Sequence, residues 1–504
     1  MPPIDLRILF VTPECAPLVK TGGLGDVAGS LPASLRNLRL DVRVLLPAYR
    51  PVLRAVQGAH VLAAFAESAA FPAWRLMDGG LVDGVPLLLL DCPSLFDRDG
   101  GPYQDAAGND WPDNARRFGL LCRAAADLAQ GAAGPRAADG TAAGTRPAWR
   151  ADIVHCNDWQ TGLVPAYLRF GPPAKARTVF TVHNLAYQGI FPPATAGQLG
   201  LPAESLSHGG LEYYGNMSFL KAGLQFADAI TTVSPTYAAE IQHEPLGMGM
   251  HGVLTERRAA LTGILNGIDA QVWDPASDAL IPHRYGADDL SGKAADKRAL
   301  QRRLGLDEVA TIPLLVSVSR LTHQKGIDLI LDAADALVAL PAQIAILGSG
   351  DAALQARLGA LARLHPGRVG VATGFDEDLA HLMEAGADIF LMPSRFEPCG
   401  MNQLYSQRYG TVPVVHATGG LVDSVTDSSA AALADGTATG IVFSPDSAEA
   451  LLGAVRRALT LYGDPAAWRA LQRSGMRRDF SWTASALRYE EIYRRLAASA
   501  PPAG

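Results

Sequence analysis

The sequence predicts an α/β protein built from two doubly wound domains, each with a parallel sheet. Short apolar segments rich in Val, Ile and Leu alternate with amphipathic helical segments along most of the 504 residues. Near-continuous apolar strands of this kind are typical of parallel sheets that are covered by helices on both faces. The strand–helix alternation occurs twice in tandem, which indicates two such domains.

The predicted strands also set the domain boundaries. A first series lies at residues 7–11, 42–46, 86–90, 153–156, 178–182 and 229–233, and a second at 314–318, 343–347, 369–373, 389–392 and 412–415. The sequence NGIDAQVWDP interrupts the alternation between them. We therefore expect a first domain at 1–266, a second at 267–480 and a final helical segment at 481–504. The segment 131–150 is rich in Ala, Gly, Pro and Arg, and this composition predicts a flexible surface insertion.

Composition excludes several classes of protein. The formal net charge of -7 argues against a nucleic-acid binder, which is normally basic. Five scattered cysteines without a CxxC pair indicate neither a disulfide framework nor a zinc site, and they fit a reducing compartment. The N-terminus lacks the pattern of a signal peptide, and the longest apolar runs are far too short to span a bilayer. We therefore expect a cytoplasmic protein.

The strongest local motif is KTGGLGDV, which begins at Lys20 after the first predicted strand and opens a helical pattern. Glycines allow backbone N–H groups to approach an anion, and the N-terminus of a helix adds a favourable dipole. The alternative interpretation is an ordinary glycine-rich turn between strand and helix. By spacing alone, the two interpretations are about equally supported.

Two further motifs follow strands of the second series. Arg320 and Lys325 in RLTHQKG come after the strand at 314–318, where doubly wound sheets bind ligands, and both can contact phosphate oxygens. Glu397 in SRFEPCG follows the strand at 389–392, and a carboxylate there suits the recognition of hydroxyl groups. Its alternative role is to stabilise a helix N-terminus. The segment TGGL at Thr418 repeats the glycine-turn pattern.

Other patterns carry less weight. GSGDAA at Gly348 fits a dinucleotide-binding turn, but no acidic residue follows a strand at the expected offset. Asp97 and Asp99 form a DxD match, as in some metal-dependent sugar transferases, within an Asp- and Gly-rich loop that favours a plain turn. His155 and His183 end strands of the first series, where a lone histidine is more often structural than catalytic. They share a predicted sheet edge with Lys20.

Taken together, the motifs resemble those of bacterial and plant glycogen (starch) synthases. KTGGLGDV, HNLAYQG, ILNGID, RLTHQKG, SRFEPCG and TGGL occur here in that family's order, from about Arg7 to the final helix. The resemblance implies a GT-B fold, in which two Rossmann-like domains face a deep cleft and the last helix returns to the first domain. It also implies a retaining transfer of glucose from a nucleotide sugar to an α-1,4-glucan, with neither a metal nor a cofactor.

The resemblance further assigns roles to individual residues. It makes Arg320 and Lys325 the cationic clamp on the leaving diphosphate, Glu397 the group that holds glucose hydroxyls, and His183 the neighbour of the anomeric carbon. Residues expected to bind the donor are Lys20, Gly22, Gly23, Asp158, Asn266, Phe375, Cys399, Gly400, Thr418, Gly419 and Gly420. Glu14 and Asp26 are weaker candidates at the cleft wall.

The sequence departs from the family pattern at three positions. Gly25 replaces an Ala of many members, Phe375 replaces a Tyr, and Tyr405 stands where some related transferases carry a second glutamate. Similarity to bacterial members favours ADP-glucose over UDP-glucose as the donor. Another retaining GT-B glucosyltransferase and a glucan-binding homologue without turnover remain alternatives. A nicotinamide-dependent oxidoreductase is a weaker one.

Overall fold

The computed structural model describes residues 6–131 and 149–499. This part of the chain divides into two units. The first contains the chain up to Val233, the segment Ala238–Gly267 and the chain from Trp482 onwards; the second contains Ser234–Tyr237 and Ile268–Ser481. The predicted insertion lies outside the described residues except for Gly131, Trp149 and Arg150, and so does the predicted fraying end at 501–504.

The first unit is centred on a nine-stranded sheet of order β12-β11-β7-β6-β1-β2-β5-β4-β3. Strands β12 to β5 in this order run parallel, and β3 and β4 add an antiparallel edge. Strands β8, β9 and β10 form a separate antiparallel sheet. The strands are β1 (Arg7–Val11), β2 (Asp41–Pro47), β3 (His60–Phe65), β4 (Trp74–Val82), β5 (Val85–Asp91), β6 (Ile153–Asn157), β7 (Arg177–Val182), β8 (Ile190–Phe191), β9 (Glu212–Tyr213), β10 (Asn216–Ser218), β11 (Ala229–Thr232) and β12 (Leu261–Gly263).

Helices connect these strands. The longest, α1 and α4, bury broad apolar faces. Helix α8 begins in the short segment that groups with the second unit. The helices are α1 (Gly23–Asn37), α2 (Arg50–Ala55), α3 (Pro93–Phe96), α4 (Asn114–Gln130), α5 (Leu163–Phe170), α6 (Thr195–Gln198), α7 (Phe219–Phe226), α8 (Pro235–Glu240) and α9 (His251–Glu256).

The second unit contains a fully parallel six-stranded sheet of order β15-β14-β13-β16-β17-β18. Its strands are β13 (Leu314–Val318), β14 (Gln343–Gly348), β15 (Val369–Thr373), β16 (Ile389–Met392), β17 (Val412–His416) and β18 (Ile441–Phe443). Its helices are α10 (Ser291–Arg303), α11 (Ile327–Asp332), α12 (Ala334–Ala339), α13 (Ala352–Leu364), α14 (Glu377–Gly386), α15 (Asn402–Arg408), α16 (Gly419–Ser424), α17 (Ala430–Ala434), α18 (Ala448–Tyr462) and α19 (Pro465–Met476).

Apolar side chains fill both faces of this sheet. One core joins the strands to α11, α13 and α18, and another joins them to α10 and α14. The doubly wound architecture predicted from the sequence is therefore confirmed. The sheet of the first unit differs in being mixed, because β3, β4 and β5 form an antiparallel meander at its edge. No described helix combines the length and the apolar character needed to cross a membrane.

The last helix, α20 (Trp482–Ala498), belongs to the first unit and packs on α1. Its Tyr493 hydroxyl lies 2.7 Å from Nδ1 of His155, whose Nε2 lies 2.6 Å from the Thr181 hydroxyl. All three side chains are fully buried. Burial lowers the pKa of His155 to about 3, so the imidazole is neutral and its two nitrogens connect the helix to strands β6 and β7.

The buried His155 makes stability depend on pH. Its folded pKa of about 3 lies below the ordinary value near 6.5, so the unfolded chain takes up a proton at pH values where the fold does not. The free energy of unfolding therefore falls as the pH is lowered from 6 to 4. We expect that His155→Gln reduces this slope by about 1.4 kcal/mol per pH unit.

Urea unfolding curves at several pH values measure the slope. The control is His60→Gln, at an exposed position on edge strand β3, which we expect to leave the slope unchanged. Equal slopes for the His155 variant and the unaltered chain would contradict the neutral, buried state of His155.

Candidate active site

Each of the two large sheets has one topological switch point, where the strand order reverses direction. In the first unit β1 lies between β2 and β6, and in the second unit β13 lies between β14 and β16. Ligands of open α/β sheets bind beyond the carboxyl ends of the strands at such points. The loops that follow β1, β6 and β7 carry Lys20, Asp158 and His183, and those that follow β13 and β16 carry Lys325 and Glu397.

A buried carboxylate holds the glycine-rich loop after β1. Glu14 is 3% exposed, and its oxygens accept hydrogen bonds from the Thr21 hydroxyl and N–H, both at 2.5 Å, and from the Gly22 N–H at 3.3 Å. The Tyr103 hydroxyl also donates to Glu14. The loop thus approaches α1 in a fixed conformation. A Cβ at Gly22 or Gly23 would meet nothing within 4 Å, so the N-terminus of α1 faces open space.

Lys20 lies beside the first turn of this helix. Its ammonium group is 2.7 Å from an oxygen of Asp26, and its side chain is 44% exposed, so it remains accessible to an anion. A Cβ added at Gly25 would come within 2.9 Å of the Lys20 Cγ. An alanine at position 25 would therefore require Lys20 to shift. The replacement of the family's alanine by Gly25 thus affects the packing of the Lys20 side chain.

Asp158 follows β6 in an unusual backbone conformation. Its φ of 58° and ψ of 179° fall in a region that is almost restricted to glycine and costs about 1–3 kcal/mol. The conformation brings its buried carboxylate to the backbone N–H of His183, at 2.8 Å, and of Asn184, at 3.4 Å. Desolvation outweighs these hydrogen bonds and raises the pKa of Asp158 to about 7.

His183 is held in one tautomer. The Asn157 amide nitrogen donates to the carbonyl of Val11, so the Asn157 oxygen, 3.0 Å from Nε2 of His183, is an acceptor. Nε2 therefore carries the proton and Nδ1 does not. Burial lowers the pKa of His183 to about 3, which keeps the imidazole neutral at physiological pH. The arrangement gives His183 an acceptor nitrogen rather than a positive charge.

Asn266 completes the predicted residues of the first unit. It follows β12 and is 7% exposed, and among the described residues its side-chain oxygen has no hydrogen-bond partner. A buried acceptor without a partner is costly, which makes it a candidate for binding a ligand hydroxyl or N–H group.

In the second unit, the predicted cation and carboxylate meet. Nζ of Lys325 lies 2.5 Å from Oε2 of Glu397, and the Ser394 hydroxyl donates to the same oxygen at 3.0 Å. Both charged side chains are largely buried, at 16% and 7% exposure. Glu397 lies before α15 and not in its first turn, so the structure does not support the alternative that it merely stabilises a helix. Arg320 is exposed at the end of β13.

The loop after β13 approaches the loop after β16 very closely. Gly326 has a φ of 68°, and a Cβ there would lie 2.0 Å from the carbonyl oxygen of Pro393. Glycine is therefore required at this position. The Thr322 hydroxyl, in the same loop, is buried and has no hydrogen-bond partner among the described residues.

The segment TGGL packs against the loop that contains Glu397. The Gly420 N–H donates to the Glu397 carbonyl at 3.0 Å, and a Cβ at Gly420 would lie 2.2 Å from the Cys399 carbonyl oxygen. Gly400 has a φ of 71°, which turns the chain into α15. Thr418 precedes the short helix α16, which Gly419 begins. The structure thus brings these two motifs together.

Phe375 lies in the turn after β15 and is 87% exposed, so its ring is accessible for stacking. Tyr405 is different: it is 6% exposed and stacks at 3.9 Å on Trp273, which also stacks on His381 at 3.8 Å. The residue that replaces a second glutamate is therefore part of a buried aromatic stack.

The two weaker motifs have structural roles. The Asp351 carboxylate caps α13 by accepting the N–H groups of Ala353 and Leu354, so it occupies the helix end that a dinucleotide phosphate would need. Asp97 and Asp99 both contact the guanidinium of Arg50, at 2.7 and 2.5 Å. Across residues 6–131 and 149–499, no three His, Cys, Asp or Glu side chains converge as metal ligands.

Sequence reasoning did not identify some residues that shape the site. Tyr103 lies in the Asp- and Gly-rich loop that was interpreted as a plain turn, yet it reaches Glu14. Arg395 lies inside the motif SRFEPCG without an assigned role, yet it contacts the loop after β13. The signal available in the sequence was the position of Arg395 inside this motif, between Ser394 and Glu397.

Comparison with known proteins identifies the family of the chain. Residues 7–256 match the family described as starch synthase catalytic domain, and residues 303–473 match glycosyl transferases group 1. The chain is 53% identical to a glycogen synthase of Nitrosospira multiformis, over 97% of each chain. It is 54% identical to a glycogen synthase of Aromatoleum aromaticum, over 98% of each chain.

Solved structures give the same result. The catalytic domain of starch synthase IV from Arabidopsis thaliana, bound to ADP and acarbose, is 31% identical with a TM-score of 0.85, over 98% of this chain and 99% of that one. A sucrose-phosphate synthase from Thermosynechococcus elongatus, at 20% identity and a TM-score of 0.57 over 98% of this chain and 100% of that one, shares the fold. The GT-B fold predicted from the sequence is thus confirmed, and the chain belongs to the glycogen and starch synthase family of glycosyltransferases.

Proposed function

We propose that this glycosyltransferase moves glucose from ADP-glucose to the 4-hydroxyl at the non-reducing end of an α-1,4-glucan, with retention of configuration. The observation that carries the proposal is the contact between Lys325 and Glu397 at the switch point of the second unit. A cation for a diphosphate and a carboxylate for sugar hydroxyls lie side by side there, as a nucleotide-sugar donor requires. ADP as the nucleotide is supported by the ADP-bound Arabidopsis relative.

The second unit, which contains Ser234–Tyr237 and Ile268–Ser481, binds the donor in this proposal. Arg320 and Lys325 neutralise the diphosphate, and Glu397 accepts hydrogen bonds from glucose hydroxyls. The exposed ring of Phe375 stacks on the base. Backbone groups at Cys399, Gly400, Thr418, Gly419 and Gly420 contact the sugar and phosphates.

In the same proposal, the first unit binds the acceptor glucan, and some of its residues also contact the donor. Lys20 and the N–H groups at Gly22 and Gly23 bind a donor phosphate at the start of α1. The unprotonated Nδ1 of His183 accepts a hydrogen bond from the primary hydroxyl of glucose. The Asn266 oxygen, for which residues 6–131 and 149–499 provide no hydrogen-bond partner, accepts another hydroxyl, and Asp158 also contacts the sugar.

The proposed chemistry is a substitution on one face of the sugar. The bond between the anomeric carbon and the phosphate oxygen breaks, and its electron pair leaves with the diphosphate. An oxocarbenium-like state forms, and the acceptor 4-hydroxyl oxygen attacks from the side that the diphosphate leaves. The hydroxyl proton passes to the departing phosphate oxygen. Electrostatic stabilisation of the diphosphate by Arg320 and Lys325 supplies most of the acceleration.

The reaction as proposed uses no metal and no cofactor, since ADP-glucose is a substrate. We also propose that the protein works in the cytoplasm, which is consistent with its five buried cysteines, all of them free thiols.

Glucose transfer onto glycogen tests the proposal directly. We expect release of ADP from ADP-glucose that depends on glycogen and exceeds the release of UDP from UDP-glucose by at least about tenfold, a difference of about 1.4 kcal/mol in activation free energy. The measurement is nucleoside diphosphate release with each donor. Faster turnover of UDP-glucose would contradict the proposed donor, and no glycogen-dependent release from either donor would reject the proposed reaction.

Lys325→Ala tests the cationic clamp. Because this ammonium group stabilises charge that develops on the leaving diphosphate, we expect kcat to fall by about 10²–10³-fold, as when one preorganised donor is removed elsewhere. Steady-state kinetics and circular dichroism of the folded variant are the measurements. Lys175→Ala, at an exposed position, is the control and should keep the kcat of the unaltered chain. A near-normal kcat for the Lys325 variant would exclude its proposed role.

Asp158 makes the reaction depend on pH. Its pKa of about 7 means that the carboxyl group is protonated at lower pH and ionised at higher pH. A carboxylate beside an oxocarbenium-like state stabilises positive charge, so we expect kcat/KM to rise as the pH increases through about 7.

Asp158→Asn should remove this limb of the pH profile, because the amide does not titrate. Asp335→Asn, at an exposed position on α12, should retain it. A limb near pH 7 that persists in the Asp158 variant would assign the titration to another group.

A further inference from the structure

Arg395 connects the two loops that carry the reacting groups of the second unit. Its Nη1 donates to the carbonyl oxygen of His323 at 2.7 Å, in the loop after β13. The same guanidinium forms a two-pronged pair with Asp328, with Nη1–Oδ1 at 2.8 Å and Nη2–Oδ2 at 2.7 Å. Arg395 itself belongs to the loop after β16. It therefore bridges the loop of Lys325 and the loop of Glu397.

Backbone contacts reinforce this bridge. The Arg395 N–H donates to the Gln324 carbonyl at 2.8 Å, and the Gln324 side chain donates to the Phe396 carbonyl at 3.3 Å. Gln324 directly precedes Lys325 in the chain, and Arg395 lies two residues before Glu397. Any change in the relative position of the two loops would thus be transmitted to the contact between Lys325 and Glu397.

The pair is built for rigidity. Both side chains are only 21% exposed, and planar guanidinium–carboxylate pairing with two parallel hydrogen bonds fixes orientation as well as distance. The Arg395 hydrogen bonds lower the pKa of Asp328, so the carboxylate stays charged at any pH at which the enzyme would be assayed. Asp446 lies 3.6 Å from Nε of Arg395 and adds a second negative charge.

We infer that Arg395 and Asp328 form a positioning pair that sets the separation of Lys325 and Glu397 for glucose transfer. Neither residue is placed in contact with the substrate. The inference rests on the proposed function, because it assumes that Lys325 and Glu397 act on the same nucleotide sugar. Displacement of a reacting group by about 1 Å can cost about 10²-fold in rate, so loss of the pair should impair turnover although the binding groups remain.

Four variants of the full-length protein test the pair: Arg395→Ala, Arg395→Lys, Asp328→Asn and the double variant of Arg395→Ala with Asp328→Asn. We expect Arg395→Ala to lower kcat by about 10- to 100-fold, and by a larger factor than it raises KM for ADP-glucose. Arg395→Lys keeps one charge but loses the planar fork, so its kcat should lie between those of the unaltered chain and the Ala variant.

The double variant distinguishes a coupled pair from two residues that affect kcat independently. If Arg395 and Asp328 act together, removal of Asp328 after Arg395 should cost little more, and the fold-loss of kcat in the double variant should be far smaller than the product of the two single losses. A loss equal to that product would overturn the inference. If the pair only stabilised the fold, Arg395→Ala would lower the unfolding temperature, but kcat would not fall by a larger factor than KM rises.

The second unit offers a matched control. Arg457 pairs with both oxygens of Asp427, at 2.8 and 2.9 Å, and also contacts a backbone carbonyl, that of Val442. Arg457→Ala removes similar hydrogen bonds away from the loops of Lys325 and Glu397, and we expect kcat within about twofold of the unaltered chain.

The outcomes are distinguishable. If the unaltered chain is active and folded Arg395→Ala has a kcat within threefold of it, the positioning role of the pair is overturned. The proposed function then remains intact. If Arg395→Ala does not fold, Arg395→Lys and Asp328→Asn decide by the same criterion. Failure of the unaltered chain to transfer glucose from either nucleotide donor would instead reject the proposed function, and the inference with it.

Discussion

Carboxylates of the chain itself hold the polar loops at the carboxyl ends of both sheets. Glu14 binds N–H groups of the glycine loop, Asp158 binds those of the His183 loop, Glu397 binds Lys325, and Asp328 binds Arg395. Parallel strands bring these loops to one edge of each sheet, where their donors and cations would otherwise lack partners. The geometry of the site depends on this internal pairing, because each carboxylate fixes the loop beside it.

For the reaction proposed above, such pairing has a consequence for substrate binding. A diphosphate offers Lys325 more negative charge than Glu397 does, and glucose hydroxyls offer Glu397 hydrogen-bond donors in return. Exchange of partners between a cation, a carboxylate and a nucleotide sugar leaves no buried charge uncompensated. If Lys325 binds the phosphate as proposed, its contact with Glu397 holds the ammonium group in place beforehand, so little reorganisation is needed afterwards.

The sequence predicts the buried part of this structure well and its polar connections poorly. Strands β1, β13, β15 and β16 begin and end where the apolar runs do, because a strand that is buried on both faces has a simple signal. Strands β3, β4, β12 and β18 and the small sheet β8–β10 were not predicted. Strands β3 and β4 are only partly buried, and the others have at most three residues, so none of them contains a long apolar run. Among site residues, glycines and cations in motifs were found. Tyr103 was not, because its contact with Glu14 joins residues 89 apart in the chain.

The aromatic stack at Tyr405 explains why one carboxylate is compatible with this site. Tyr405 is almost fully buried against Trp273, in a stack that His381 continues on the other side. A glutamate at position 405 would place a carboxylate among these buried rings. Burial of an uncompensated carboxylate is strongly unfavourable, so the group would take up a proton instead. Glu397 avoids that cost because Lys325 and Ser394 meet it directly. One carboxylate paired with one cation therefore balances the charge of these two loops without a second acid at position 405.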